Sequence, residues 1–203
     1  MNYTTLLQQI QDYCEDDSAE FIAEIPQIIT NAEHRIFRDV SELPAFRTSA
    51  TGTFVAGTRT FAQPADLRTT RALAITVSGE VVFLEKRIDT YILDYSPTTT
   101  QSQPKFYAEV NETNYILGPV PDQNYAYEVY YRREPSGLSV SNLNTEVGDN
   151  HEDLLMFACL AYGEEFLQND VEQAKWEGEY GKVKEATNLE VRRRYQTEYG
   201  VTS

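Results

Sequence analysis

The sequence predicts an α+β protein: a helical bundle built from the two ends of the chain, with an antiparallel β-rich region inserted between them. Three observations carry this. Apolar residues recur at helical spacing near both ends of the chain. Between those ends the texture changes to Thr, Gly, Val and Tyr with two-residue alternation and turn residues. Helices, then strands, then helices is the order of a segregated α+β architecture and not of alternating βα units. The expected parts are 1–46 (first half of the bundle), 47–148 (β-rich insertion with one short helix) and 149–203 (second half of the bundle with a C-terminal tail).

Residues 4–13 read as a short helix carrying Leu6, Leu7 and Ile10. Glu15, Asp16 and Asp17 break it, and Asp17 with Glu20 has capping-box spacing ahead of Phe21 and Ile22. Pro26 is expected in the first turn of a main helix, where its missing N–H costs nothing. Ile25, Ile28, Ile29, Ala32, Ile36 and Val40 then follow one face, with Glu33, Arg35, Arg38 and Asp39 on the wet side. Pro44 ends the element.

The insertion starts with residues 48–64, read as β with short strands at 53–55 and 59–61 about Gly57, followed by a turn at 64–67. Segments 71–77 and 81–85 flank Ser78, Gly79 and Glu80, a tight hairpin, with Leu73, Ile75 and Val77 pointing inward. Residues 85–95 switch to helical period through Ile88, Tyr91, Ile92 and Tyr95. The polar loop 97–104 is expected to be the most flexible segment. Strands follow at 105–110, 114–117 and 125–133. The last is dense in tyrosine, which suits a half-buried sheet as well as a contact surface; core and sheet face is the reading preferred. Residues 135–147 read as a loop.

Asp149 with Glu152 has capping-box spacing for the next helix. Leu155, Cys159, Tyr162 and Phe166 share one face there, widened by Leu154, Ala158 and Ala161, so this helix is expected to lie buried against the 25–40 helix. Asn169 and Asp170 break it, and Asp170 with Gln173 restarts the chain. In the second long helix Trp176, Tyr180, Val183, Thr187 and Val191 line one face, and Ala174, Gly178 and Gly181 a neighbouring one. A glycine inside a helix costs about 1 kcal/mol relative to alanine. Two on one side therefore point to close approach of another helix, of this chain or of a neighbour. Arg192, Arg193 and Arg194 form the one dense positive block. At a helix C-terminus they complement the macrodipole, and they also suit an acidic partner.

The net charge of −15, from 17 basic and 32 acidic residues, argues against a surface that grips nucleic acid, because neutralising phosphates needs clustered Lys and Arg. A surface that faces DNA without holding it stays open. No run of eighteen apolar residues occurs, so no membrane span is expected. The first residues lack a basic region and an apolar core, so no secretion signal is expected. Cys14 and Cys159 make no disulfide framework.

No catalytic constellation emerges. Consecutive His151, Glu152 and Asp153 point in different directions on a helix and chelate one ion poorly; HExxH is absent. His34 sits between Glu33 and Arg35 as a solvated or packing side chain. GxSxG, the Walker loop, GxGxxG and CxxC are all missing. Glu164 with Glu165, and Glu177 with Glu179, lie along single helices, whereas glycoside hydrolysis needs carboxylates facing each other across a cleft. The expectation is no enzyme, no metal and no cofactor.

The overall order resembles the head-to-tail adaptor (connector) proteins of short-tailed and related tailed bacteriophages. The residues that carry the likeness are Ile25, Pro26, Gln27, Ile28 and Ile29, continuing through Ala32 to Asp39, then Gln63 to Leu67, then Pro104, Lys105, Phe106 and Tyr107, with the 125–133 strand and the 152–184 helices. The resemblance implies a virion protein of the neck or tail, made in the bacterial host cytoplasm. It implies a homo-oligomeric ring, usually twelvefold, beneath the portal. Such a ring extends the DNA channel, lets DNA pass without specific binding and attaches the tail nozzle or fibre proteins. Carried over, Arg192, Arg193, Arg194, Tyr195 and Tyr199, within the 192–203 tail, would dock on the portal protein. Trp176, Gly178, Tyr180, Gly181 and Val183 would then make the subunit contact, and the β part would face a neighbouring subunit or the tail. From composition, 196–203 are expected to be disordered in the free protein. Two other readings remain: a fibre-attachment or glycan-binding module using Tyr127 and Tyr131, and a cell-wall hydrolase.

Overall fold

The computed structural model describes residues 1–97 and 100–198, with backbone alone for 195–198. In chain order the elements are α1 (Tyr3–Cys14), α2 (Ala19–Asp39), a 3-10 turn (Pro44–Phe46), β1 (Arg47–Phe54), β2 (Thr60–Ala62), β3 (Leu67–Val77), β4 (Glu80–Lys86), α3 (Asp89–Tyr95), β5 (Phe106–Glu109), β6 (Asn114–Gly118), β7 (Tyr125–Arg133), α4 (Glu146–Asn150), α5 (Glu152–Phe166) and α6 (Asp170–Glu198). The fold is the expected α+β. The chain divides into two units, Met1–Phe46 with Pro135–Ser203, and Arg47–Glu134.

The first unit is helical and centred on α5, which packs against α1, α2, α4 and α6. Leu154, Leu155, Ala158, Cys159 and Leu160 are all fully buried. Burial of a leucine stabilises by about 1.5–3 kcal/mol, so this one helix supplies much of the unit's core. From α2 come Phe21, Ile25, Ile28, Ile29 and Ile36, and from α1 Leu6 and Ile10. Phe166, expected on the buried face, is 38% exposed and touches only the rim of the core, its ring 6.1 Å from Phe21.

Helix starts differ from the capping-box expectations. Ser18, not Asp17, caps α2 by accepting from the Phe21 N–H, while Asp16 accepts from Ser18 N. Asp149 caps nothing; it lies in α4, a short helix capped by Thr145. His151 precedes α5 without a side-chain cap bond. Asp170 is the first residue of α6, and Asn169 before it donates to Glu164. Acidic and amide side chains were plentiful at each site, and spacing alone does not decide which one turns toward the free N–H groups.

Pro26 lies inside α2, well past its first turn. An interior proline costs about 3 kcal/mol. Burying Phe21 and Ile25 ahead of it returns about 1.5–3 kcal/mol each, so the helix extends back to Ala19 across the proline.

The second unit is a seven-stranded sheet of order β1-β7-β3-β4-β5-β6-β2. All pairings are antiparallel except β4 with β5. β1 runs Arg47–Phe54, earlier and longer than the short strand expected at 53–55, because β7 pairs with its whole length. The β3–β4 turn is Ser78 and Gly79, both at positive φ (53° and 89°), the two-residue geometry that suits strand twist. Register shifts at Arg68 and Arg71 bulge β3 against β7 and bend the sheet. The bend brings the two ends of the strand order together: the Phe54 ring of β1 lies 4.4 Å from Phe61 of β2. Inside are Leu73, Ile75, Leu84, Tyr107, Tyr115, Leu117, Tyr125, Val129 and Tyr131. α3 covers a smaller cluster through Ile92, Ala108 and Ile116. Of the loop expected at 97–104, residues 98 and 99 lie outside the described residues; Gln101 bridges to Val120, and Ser102 N donates to its carbonyl.

Candidate interaction surfaces

The longest element, α6, carries both predicted contact groups. Its stripe of Tyr180, Thr187 and Val191 is buried, with Trp176 and Val183 packed against the same core. Tyr180 is 1% exposed, and its hydroxyl donates to Asp39 Oδ2 at 2.9 Å. Burial first, and then the Asp39 carboxylate, hold this phenol above its ordinary pKa. Arg35 of α2 lies 4.1 Å over the Tyr180 ring and donates through both terminal nitrogens to Glu177, at 2.6 and 2.5 Å. That fork lowers the Glu177 pKa and raises that of Arg35. Asn188 reaches the Asp39 carbonyl and Lys184 its carboxylate, at 3.3 and 3.8 Å. These bonds clamp α6 to α2 along a face that helical periodicity alone could not assign to an inner or an outer partner.

Trp176 stacks on Phe157, centroids 5.8 Å apart and planes within 20°, and meets the edge of Tyr13 at 6.0 Å. Gly178 and Gly181 differ: a Cβ at either would meet nothing within 4 Å. Among the five predicted subunit-contact residues, Trp176, Tyr180 and Val183 therefore turn toward their own unit, and the two glycines are open. Arg192, Arg193 and Arg194 are exposed beyond Val191, the last buried residue described. The Tyr195 side chain and all of Tyr199 lie outside the described residues. So does most of the 196–203 segment expected to be disordered, although the α6 backbone includes 196–198. Arg194 also borders an open groove of about 610 Å³, with Leu43, Val183 and Val191 on its floor and Glu146, Asp153 and Glu190 around it.

Glu33 is a feature that sequence reading placed on the wet side and the fold draws inward. Its Oε2 accepts from Leu138 N at 2.9 Å, and a Cβ on Gly137 would come within 2.5 Å of the same oxygen. Burial pushes its pKa up to about 7, against the lowering effect of the bonds from Leu138 and Thr145. Glycine at 137 could have flagged this close approach; nothing in the sequence marked Glu33 itself.

The residues weighed for chemistry are dispersed. His34 is exposed. Glu152 accepts from the Met1 ammonium, which also donates to the Gly148 carbonyl. Burial and then Glu164 push the Cys14 thiol up to about 12, and burial raises Cys159 well above the ordinary range. Among the described residues, no three His, Cys, Asp or Glu side chains are placed to hold a metal ion. None of the described helices is long and apolar enough to cross a membrane.

The tyrosines of β7 are mostly spent inside the sheet. Tyr131 is buried and donates to Asp66 at 2.8 Å. Tyr127 stacks on Phe54 at 4.3 Å with planes within 16°. Tyr130, on the opposite face, donates to Glu128.

Charge divides unevenly. The helical unit holds 22 acidic and 8 basic residues, net −14; the sheet unit holds 10 and 9, net −1. Nearly all of the acidic balance thus belongs to one unit.

A family model described as SU10 adaptor protein matches residues 1–202. No curated protein matches the chain.

Proposed function

Because the chain belongs to the SU10 adaptor protein family, phage head-to-tail adaptors, we propose that it is a ring-forming link beneath the portal that continues the DNA channel toward the tail. The family match over almost the whole chain carries this reading. It makes the protein a structural component of the virion that binds other virion proteins.

The finer assignment rests on shape and charge. Arg192, Arg193 and Arg194 stand exposed in α6 ahead of its last turn, which runs to Glu198 and not to the arginines as the sequence suggested; they dock on the portal, with 195–203 extending the contact. Gly178 and Gly181 leave one side of α6 open for a neighbouring copy, while Tyr180 and Val183 hold the helix in place from behind. The tail nozzle or fibres attach on the opposite side of the ring. The helical unit, at net −14, faces the channel. An acidic wall repels phosphate, so DNA slides instead of sticking.

The test is capture of the protein on its portal, read by mass photometry and negative-stain imaging. The full chain forms rings on the portal. A chain cut after Val191 keeps the last buried residue described, stays folded by circular dichroism and fails to bind. A full-length chain that never joins a portal overturns the reading. Equal binding by the truncated chain overturns the docking role of the arginines and the tail.

A further inference from the structure

In the helical unit, the groove beside α6 and the outward side of the same helix are complementary surfaces. Leu43, Val183 and Val191 floor the groove, and the exposed Glu146, Asp153 and Glu190 stand around it. Glu146 accepts from Asn150 Nδ2 and Asp153 from the Leu154 N–H. Among the described residues, none of the three carboxylates pairs with a Lys or Arg. Three carboxylates against Arg194 leave the groove at net −2, with His151 counted neutral. Val183, Glu190, Val191 and Arg194 are the α6 side of it; at 3.6 residues per turn, Leu189, Arg192 and Arg193 fall on the opposite side of that helix. Leu189 is 51% exposed, and the two arginines flank it three and four positions on. Arg192 has no carboxylate partner among the described residues. Lys182 and Glu185 share this side in the turns before Leu189. With Lys182 spent on Glu179, Arg192 and Arg193 outweigh Glu185 and leave the side at net +1. Gly178 and Gly181 lie on it too, so the open glycine side and Leu189 form one continuous surface.

Resting on the ring reading above, we infer that Leu189, Arg192 and Arg193 of one copy seat in the groove of a second copy. Leu189 meets the apolar floor, and the arginines reach the three carboxylates around it. Arginine suits both parts, because its stem covers apolar surface while its guanidinium forks onto a carboxylate. Charge and position select this occupant. The chain's own Arg192 and Arg193 project away from its own groove. Two grooves face to face would set carboxylates against carboxylates, and two outward sides would set arginines against arginines; like charge across an interface disfavours pairing. Outward side against groove joins unlike surfaces. Because the two lie on opposite sides of one helix, the contact repeats from copy to copy in the head-to-tail manner that closes rings. The arginines serve the portal in the reading above and the next copy here; the groove carboxylates belong to the contact between copies alone, which lets the two roles be tested apart.

The experiment places the photo-crosslinking residue p-benzoylphenylalanine at Leu189 of the full chain, assembles it on its portal, counts copies by mass photometry and maps the products by mass spectrometry. The expected product joins two copies, from 189 to a residue in 43–45 or 146–153. In parallel, Glu146→Gln with Asp153→Asn keeps the acceptors and the circular dichroism of the parent, and lowers the yield of that product at least about fivefold. A product from 189 to the portal or to another virion protein, a product from 189 to 189, an unchanged yield in the neutralised variant, or no two-copy product from portals that carry several copies overturns this inference and leaves the ring intact. Portals that carry a single copy or none overturn the ring reading itself, and this inference with it.

Discussion

Glu33→Gln should remove a pH dependence that the fold builds into the helical unit. Burial raises the Glu33 pKa from 4.5 to about 7. Between those values the folded chain keeps a proton that the unfolded chain has released. Stability therefore falls as pH rises through the window, since stability rises with pH only where the unfolded state binds more protons. A shift of that size corresponds to about 3 kcal/mol at 1.36 kcal/mol per unit. Partial solvent access at the half-buried carboxylate reduces the expected effect to about 1–3 kcal/mol. Glutamine retains an oxygen to accept from Leu138 N and carries no charge, so the variant should be the more stable protein at pH 8 and nearly equal at pH 4.5. The assay is urea denaturation of parent and variant from pH 4.5 to 8. The other acidic residues also repel one another as pH rises, so the quantity to read is the difference between the two proteins. A difference that stays flat over the window, or grows in favour of the parent, would refute the burial argument.

Three other outcomes are expected. Gly52→Ala places a Cβ 2.5–2.7 Å from the Tyr127 ring, which is stacked on Phe54; overpacking of that kind costs about 1–3 kcal/mol, seen as a lower urea midpoint at unchanged slope. Tyr180→Phe strands Asp39 without its phenol donor and should cost about 1 kcal/mol, measured as a drop in melting temperature; no change would mean that Lys184 and Arg35 satisfy Asp39 unaided. Neither Cys14 nor Cys159 should react with a disulfide reagent at pH 8 while the chain is folded, because both thiols are held above their ordinary pKa, whereas both should react in urea; rapid labelling of the folded chain would contradict the burial of the pair.

The core helices were legible because burial writes itself into spacing. Leu154, Leu155, Ala158 and Cys159 are too apolar for a surface helix, and the 25–40 pattern supplies the matching stripe. The β3–β4 hairpin was legible from Ser78 and Gly79 because positive φ restricts residue choice. Residues 48–64 were legible as β, but the extent of β1 was not. Thr48, Ser49, Ala50, Thr51 and Gly52 show no apolar alternation, and pairing with β7 makes them a strand. Pro26 misled for a related reason: a local cost of about 3 kcal/mol was overridden by burying the neighbouring Phe21 and Ile25 in a core whose α5 residues lie far off in sequence.

By its sequence alone the chain determined its class, the order of its elements, its acidic balance and its adaptor-like texture. These depend on periodicity, turn chemistry and composition, which act over a few residues or sum over all of them. Only the tertiary structure decided which way each amphipathic face turned. Periodicity lined up Trp176, Tyr180 and Val183 without saying whether the partner was internal, and the Arg35, Glu177 and Asp39 contacts turned them inward while leaving Gly178 and Gly181 open. The same holds for Glu33, which Gly137 and Leu138 meet from more than a hundred positions away and whose pKa is raised by its burial, against the lowering effect of the Leu138 bond. It holds too for the charge, whose total the sequence states and whose concentration in the helical unit the fold imposes. A face acquires its environment only from what packs against it, and residues distant along the chain supply that.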